Sequence, residues 1–396
     1  MLGSSRGSPR LVTLLVVSTM TVMAGATISP ALPTIRQAFA DVPDADLWVR
    51  LVLTLPALFT ALGAPLAGWL TDRVGRRPVL LTSMGLYGVG GAGGGLAGSI
   101  WTLLGTRALL GLSVGGIMTT ATTLIADYYD GPRRSEIMGL QSTFMAGGGI
   151  VYILAGGALA DLSWRAPFGV YLLAFALLGP AVWFLAEPEA RADTPAEAAQ
   201  RVSWGTLVPL YGLAFVGMAA FYMIPVQIPF YLTRLGVTSG LLTGVAIAAA
   251  TLMGAVMGAV YGRVQGRLGY AGTLAVHFLV FGAGYVGIGL ASSFGGVLVG
   301  IGVAGIGTGL MMPNFNNWLG ALAPRARRGK ILGGLTTCFF VGQFVSPLLT
   351  QPLIDATSVG VTFALVGVGL GGLGLGATGY VAWRRRRGRP VAAADG

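Results

Sequence analysis

Charged side chains are scarce in this chain of 396 residues: Asp, Glu, Lys and Arg fill 10% of positions, while hydrophobic residues fill 54%. Soluble domains carry roughly 25% charged residues, so the composition excludes an ordinary globular protein. A single cysteine, Cys338, excludes a disulfide framework and a cysteine metal cluster. The sequence shows no nucleophile–base pair, metal-ligand cluster or phosphate-binding loop. We therefore predict that the protein is not an enzyme and needs no metal or cofactor.

The apolar residues are concentrated in runs of about twenty or more, the length that spans about 30 Å of hydrocarbon. The sequence contains 65 glycines, which suit closely packed membrane helices because small residues let backbones approach. We predict an all-α integral membrane protein with twelve spans, at residues 11–35, 48–70, 78–98, 101–125, 136–160, 166–186, 205–232, 239–260, 270–292, 294–318, 329–352 and 359–383. The first run is similar to a signal peptide, but eleven more follow, so we expect an uncleaved span.

The net charge of +11 is distributed over alternate loops. A single basic patch would suggest nucleic acid, and this spread argues against it. One side of the predicted membrane receives Arg6, Arg10, Arg73, Arg76, Arg77, Arg133, Arg134, Arg191, Arg201, Arg263, Arg267, Arg325, Arg327, Arg328, Lys330, Arg384 to Arg387 and Arg389. Basic loops lie on the cytoplasmic side of membrane proteins. We therefore predict a multi-pass protein of the inner (plasma) membrane with both termini in the cytoplasm.

Residues 187–203 form the one long polar interruption and predict a cytoplasmic linker between two six-helix halves, residues 1–186 and 204–396. Internal repeats support this division. The stretch 133–139 recurs at 327–333, and the same spacing, which we call the repeat spacing, relates Asp161 to Asp355. A weaker repeat at 258–267 follows the eighth span. Its slightly shorter spacing aligns Gly262 with Asp72.

The loop between the second and third spans, residues 68–78, reads GWLTDRVGRRP. Its pattern, G-x-L-x-D-R-x-G-R-R-P, resembles the signature of the major facilitator superfamily of transporters, and the span count, repeat and linker agree with this. The resemblance implies that Asp72 approaches the N-terminus of the eleventh helix and closes the cytoplasmic side. An anion there gains roughly 0.3–1 kcal/mol. The predicted gating and coupling residues are Gly68, Asp72, Arg73, Gly75, Arg76, Arg77, Arg107 and Asp127.

Arg107 lies about two turns inside the fourth predicted span, where a charge needs a cavity or a partner. With Gly111 it forms R-x-x-x-G, which resembles the superfamily's fourth-helix motif, whose arginine is linked to proton movement. All 14 acidic residues fall in loops, at helix ends, in the linker or in the tail. Pumps for cations usually bury a carboxylate, so neutral, zwitterionic or anionic substrates are favoured. If protons couple transport, Asp72 and Asp127 are the candidate carriers.

The resemblance places a substrate cavity among spans 1, 4, 7 and 10, with contributions from spans 5, 8 and 11. The candidates are Met118, Gln141, Tyr152, Phe221, Tyr222, Gln227, Met311, Asn314, Asn317 and Gln343. Methionines and aromatic residues at helical spacing are more often core, whereas buried amides need hydrogen-bond partners. In the fifth span, Tyr152 and Ile153 replace the Gly-Pro of the family's exporter motif. This replacement weakens an antiporter assignment.

The chain most resembles the superfamily's twelve-span drug:proton antiporters. This resemblance predicts proton-coupled efflux of small amphipathic or neutral compounds by a monomer in the lipid bilayer. Uptake of a nutrient or organic acid, by symport or facilitated diffusion, is the alternative within the same fold. A receptor or scaffold would need a substantial soluble module, and no loop is long enough to hold one.

If Asp72 closes the cytoplasmic gate, the Asp72→Asn variant should abolish or uncouple transport, because the amide lacks the charge that favours a helix N-terminus. Transport and membrane expression should be measured together in the same cells. Normal coupled transport by the variant would contradict the gating role.

Overall fold

The computed structural model describes residues 8–188, 204–324 and 327–386, and within these ranges the regular structure is helical throughout. The α-helices are α1 (Pro9–Ala26), α2 (Leu32–Ala38), α3 (Ala45–Val74), α4 (Arg76–Gly93), α5 (Ile100–Tyr128), α6 (Gly131–Ala160), α7 (Leu173–Phe184), α8 (Trp204–Arg234), α9 (Gly240–Leu290), α10 (Phe294–Thr308), α11 (Met311–Leu322), α12 (Arg328–Ala356) and α13 (Val359–Arg386). Three 3₁₀ segments, Ser29–Ala31, Gly94–Leu96 and Ala166–Leu172, adjoin these helices.

By length and apolar composition, eleven helical stretches of the described chain can cross a membrane. One of them, α9, has 51 residues and is interrupted at Gly269, where φ is 70° and ψ is 178°. The backbone reverses at this glycine, so α9 supplies two of the twelve predicted spans. The predicted all-α membrane fold with twelve spans in two six-helix halves is therefore confirmed.

The chain divides into two compact units. Unit 1 comprises Met1–Ala192 together with Thr238–Val245, and unit 2 comprises Asp193–Val237 together with Ala246–Gly396. Unit 1 thus includes the beginning of α9. Most of the predicted linker, residues 189–203, lies outside the described residues, as do residues 387–396 of the basic tail, Arg6 and Arg325.

Serine side chains cap the starts of five helices in the described part of the chain, namely α1, α5, α9, α10 and α13. Ser8 accepts a hydrogen bond from the amide of Leu11, and Pro9 occupies the first helical position of α1. Ser99 caps α5 in the same way, and Ser293 caps α10. A serine hydroxyl satisfies one of the amides that the first turn leaves unpaired. Ser99 and Ser293 are related by the repeat spacing, so the sequence repeat extends to the start of these two helices.

Glycines let α3 and α5 pack backbone against backbone. A Cβ atom on Gly111 would meet the carbonyl oxygen of Pro56, and one on Gly115 would lie 2.7 Å from the nitrogen of Ala64. In unit 2, Gly305 of α10 packs on Ala250 of α9 in the same way. The repeat spacing relates Gly111 to Gly305 and also relates Pro56 to Ala250. The second and fourth spans therefore pack as the eighth and tenth do.

A single residue joins α3 to α4. Gly75 has φ of 96° and ψ of 164°, a positive-φ conformation that glycine reaches without steric cost. The turn inside α9 lies at Gly269, which is related to Gly75 by the repeat spacing.

The predicted alignment of Gly262 with Asp72 is therefore wrong, because turn geometry rather than arginine spacing sets the register of this hairpin. In the register of the turns, the counterpart of Asp72 is Gly266, and Arg267 matches Arg73. The second hairpin thus keeps the repeat spacing of the rest of the chain.

The Gly111→Ala variant should lower the thermal stability of the protein in detergent, because overpacking a contact of this kind costs about 1–3 kcal/mol. The matched control is Gly105→Ala in the same helix, where an added Cβ meets nothing within 4 Å. Alanine is a better helix former than glycine, so this control should be neutral or slightly stabilising. Equal melting temperatures for both variants would contradict the packing described here.

Candidate functional site

Seven of the eight predicted gating residues, all except Arg107, gather at one end of unit 1, which we call the hairpin end and define by residues 68–78. Asp72 and Arg73 are exposed, and the guanidinium of Arg73 lies 4.0 Å from the ring centre of Trp69. Gly68 has open space where a side chain would project. The hairpin thus presents one acid and one arginine to its surroundings, while Arg76 and Arg77 turn into the unit.

Arg76 and Asp127 form the ion pair of the hairpin end. The Nε atom of Arg76 lies 3.2 Å from Oδ2 of Asp127, the penultimate residue of α5, and Nη1 donates to the carbonyl of Thr71. Both side chains are partly buried, which reduces solvent screening of the pair. The structure therefore brings two of the predicted coupling residues together and ties α5 to the start of α4.

Glu187 is a member of this network that the sequence reasoning assigned only to the linker. Its two carboxylate oxygens accept hydrogen bonds from the backbone amides of Arg76, at 2.6 Å, and Arg77, at 2.7 Å. These amides begin α4, where an anion is favoured by unpaired N–H groups and the helix dipole. The sequence offered two signals: an acid directly after the sixth predicted span, and a glycine, Gly75, at the position that would cap α4. Gly75 is also needed here, since a Cβ would lie 2.7 Å from the Glu187 carboxylate.

The C-terminal end of α7 and the residues just after it accept hydrogen bonds from side chains of α4, α1 and α5 at the hairpin end. Arg77 donates through Nη2 to the carbonyl of Val182 at 2.7 Å, and Arg10 donates through Nε to that of Phe184 at 3.3 Å. The hydroxyl of Tyr128 donates to the carbonyl of Ala186. The last carbonyls of a helix have no partner within it, so these contacts satisfy groups that otherwise need water.

Arg107 is fully buried in unit 1, with an exposed fraction of 0%. Its Nη2 atom donates to the carbonyls of Gly90 and Gly91, each at 2.7 Å, and its guanidinium lies 4.9 Å from the ring centre of Phe168 and 5.2 Å from that of Tyr171. The residue therefore points towards α4 and the 166–172 segment.

No acidic side chain pairs with Arg107 among the residues that the structure describes. Its Nε and Nη1 atoms are buried and have no hydrogen-bond partner there. A buried charge without a carboxylate is held by polarisable rings and carbonyl dipoles. Close approach of the guanidinium requires small residues, because a Cβ on Gly94 would lie 2.7 Å from Nη2.

Two of the three cavity candidates of unit 1, Gln141 and Tyr152, contact α1. Gln141 of α6 donates through Nε2 to the hydroxyl of Ser18 at 2.9 Å, and the Tyr152 hydroxyl lies 2.8 Å from that of Thr19. Met118 is half-buried on α5. Gln141 and Tyr152 therefore hydrogen-bond α6 to α1. Tyr152 occupies the position of the glycine in the exporter motif, so this residue makes a helix-to-helix hydrogen bond that glycine could not make.

The candidates of unit 2 lie on three helices. Gln227 of α8 is fully buried and donates through Nε2 to Thr350 of α12 at 3.3 Å. Asn314 of α11 is also fully buried, and its Nδ2 donates to the carbonyl of Tyr270, just after the turn in α9. Phe221 and Tyr222 stack edge to face on α8, Met311 is buried at the start of α11, Asn317 is exposed, and Gln343 is half-buried on α12.

Each unit also has an apolar groove. One, of about 350 Å³, lies among α3, α4 and α5, and the other, of about 320 Å³, lies among α8, α12 and α13. None of the predicted cavity residues lines either groove. Within residues 8–188, 204–324 and 327–386, no three His, Cys, Asp or Glu side chains are grouped so that they could hold a metal ion.

Sequence comparison agrees with the helix arrangement and the hairpin. The sequence profile of the Major Facilitator Superfamily matches residues 14–347 and 255–395 of the chain. This chain belongs to the major facilitator superfamily. The assignment covers nearly the whole length and confirms the family to which the hairpin motif is similar.

Among superfamily members, the multidrug resistance protein MdtG of Yersinia enterocolitica is 39% identical over 116 residues, which is 29% of this chain; the chain spans 28% of the length of that relative. A D-xylose–proton symporter superposes with a TM-score of 0.74 and 15% identity, over 91% of this chain and 96% of the symporter. A bacterial homologue of the human lysosomal transporter Spinster gives 0.74 and 19%, over 95% and 96%. These structural similarities establish the fold.

Arg107→Lys should reduce both stability and transport, because a lysine cannot keep the planar contacts with two carbonyls and two rings. Loss of hydrogen bonds from a charged group costs about 1.5–3 kcal/mol, and thermal unfolding in detergent should show it. Arg133→Lys is the control, since Arg133 pairs with Glu136 at the surface of α6. If the Arg107→Lys variant has the melting temperature and the transport activity of the parent protein, the contacts of the Arg107 guanidinium contribute to neither.

Proposed function

We propose that this protein is a proton-coupled exporter of small neutral, zwitterionic or anionic amphipathic compounds that works by alternating access. The observation that carries the proposal is the 39% identity to a protein named for multidrug resistance, over 116 residues. The complete hairpin motif and the ion pair of Arg76 with Asp127 support the same function.

The substrate class follows from the distribution of acidic groups. The buried charged or titratable side chains of the described residues include Arg50, Arg107 and His277, but no Asp or Glu. A cationic drug inside the membrane needs a carboxylate as counter-charge. Amides and hydroxyls such as Gln141 and Tyr152 suit neutral polar groups, and the surrounding methionines and aromatics adapt to varied apolar shapes.

The coupling group is proposed to lie at the hairpin end, where the available acids are Asp72 and Asp127. Asp127 pairs with Arg76, whereas Asp72 is exposed. The energy source is proposed to be an ion gradient, because the sequence has no nucleotide-binding motif. The basic loops support a location in the inner (plasma) membrane with both termini in the cytoplasm.

The experiment is a substrate screen in cells that lack their main exporters. Expression of the protein should raise tolerance to one or more lipophilic neutral or anionic compounds, and an uncoupler of the proton gradient should remove the effect. Everted vesicles should then accumulate the compound in response to an imposed proton gradient.

The Asp72→Asn variant should lose this accumulation, whereas Asp41→Asn, which changes an exposed acid in a loop, should retain it. Accumulation in right-side-out vesicles instead would contradict export and establish uptake. Tolerance only to strongly cationic compounds would contradict the proposed substrate class.

A further inference from the structure

Asp161 accepts three hydrogen bonds at the end of unit 1 opposite the hairpin end. Its Oδ1 atom receives the amide of Gly240 at 2.6 Å, and Oδ2 receives the amide of Leu241 at 3.1 Å and the hydroxyl of Ser239 at 3.2 Å. These residues begin α9, and first-turn amides have no partner within their own helix. The carboxylate therefore caps α9 from the end of α6, 79 residues earlier in the chain.

Beneath this cap, the backbones of α6 and α9 touch. A Cβ on Gly240 would lie 2.6 Å from the carbonyl oxygen of Gly157, and one on Gly244 would lie 2.9 Å from that of Ile153. The contact is otherwise made of small or apolar groups, so Asp161 is its charged member. The Ser239 hydroxyl reaches α6 through this carboxylate and also caps its own helix at the amide of Leu242. Without the carboxylate, van der Waals contact would hold the start of α9 against α6.

Asp355 provides a comparison within the same chain. It occupies the repeat-equivalent position at the end of α12 and is exposed. Its Oδ1 atom receives Nε2 of Gln351, one turn earlier in the same helix, at 2.7 Å. The two acids thus share a position in the repeat but differ in their contacts.

We propose that Asp161 is a gating residue that holds the beginning of α9 on the end of α6, and that this contact must break when the end opposite the hairpin opens. The inference rests on the proposed transport function. Under this proposal, the end of unit 1 opposite the hairpin end has its own contact between an acid and a helix start. This contact is separate from the one that the family resemblance assigns to Asp72. Anion-to-amide bonds at a partly exposed helix end are strong enough to bias a population and weak enough to break during a transport cycle.

The test is the accessibility of a thiol placed under the contact. Ala160 is buried, and its Cβ lies 2.9 Å from where a Cβ on Gly240 would be. Ala160→Cys is made in a Cys338→Ser background, which leaves one thiol, and the rate of labelling by a membrane-impermeant maleimide is measured in vesicles of both orientations. Asp161→Asn and Asp161→Ala should raise that rate by about 5- to 30-fold, because a loss of one or two kcal/mol changes a two-state ratio by this factor.

Asp355→Asn is the matched control and should leave the rate unchanged. A general loosening of the fold is monitored by a second reporter, Ala214→Cys, at a fully buried position of α8. The proposal is overturned if the Asp161 variants label like the parent, if Asp355→Asn raises the rate equally, or if the Ala214 reporter responds as strongly as the Ala160 reporter.

Asparagine has the shape of aspartate, so Asp161→Asn remains informative if the alanine variant fails to reach the membrane. If neither Asp161 variant reaches the membrane, Ser239→Ala is used, which removes one of the three hydrogen bonds to Asp161. This variant should raise the labelling rate by a smaller factor, and an unchanged rate overturns the proposal. Labelling requires no substrate. A protein that exports nothing in the screen but still responds at Ala160 would contradict the proposed function while supporting the gate.

Discussion

Every backbone amide and carbonyl inside hydrocarbon must find a partner within the protein, and this constraint shapes both the helices and their ends. The long helices satisfy their interiors by themselves. At the ends, acids and serines accept hydrogen bonds from the free amides, as Glu187 does for α4 and Ser99 for α5. Arginines donate to the last carbonyls of α7, and a tyrosine donates to a carbonyl just after that helix. The scarce charged residues are thus concentrated where helices begin and end. In the proposed transport cycle, a gate is a helix end whose partner is exchanged, so gating would use the same kind of contact that completes the fold.

The two halves share a framework but differ in their charged contacts. The serine caps of α5 and α10, the glycine contacts of the second and fourth spans and the one-residue turns recur at the repeat spacing. Asp72 has Gly266 as its counterpart, and Asp161 differs from Asp355 in what it binds. The framework needs only small residues at fixed positions, so both halves keep it. Asp161 binds the start of a particular helix and Asp355 does not, so this charged contact differs between the halves while the framework stays the same.

Sequence reasoning identified the spans, the repeat and the hairpin, because hydrocarbon thickness, basic loops and glycine turns leave local patterns. It missed Glu187, whose partners lie 110 residues or more away in the chain and are backbone atoms that no side-chain pattern reveals. It also aligned the second hairpin wrongly, because the alignment followed the spacing of the arginines and not the position of the turn glycine, Gly269. For Arg107, the sequence indicated that a partner was needed; the carbonyls of Gly90 and Gly91 became evident only from the packing of α4 against α5.

The surroundings of Arg107 have a consequence for how this region can evolve. Its hydrogen-bond acceptors are main-chain carbonyls, which every amino acid carries, so no exchange of acceptor side chains can compensate for a change at position 107. Selection can act here mainly on size, because a Cβ at Gly91 would lie against the ring of Tyr171 and one at Gly94 would lie 2.7 Å from the guanidinium. Pairwise covariation among related sequences would therefore not reveal the hydrogen bonds between Arg107 and these carbonyls. Their trace in an alignment would be glycine retained at positions 91 and 94.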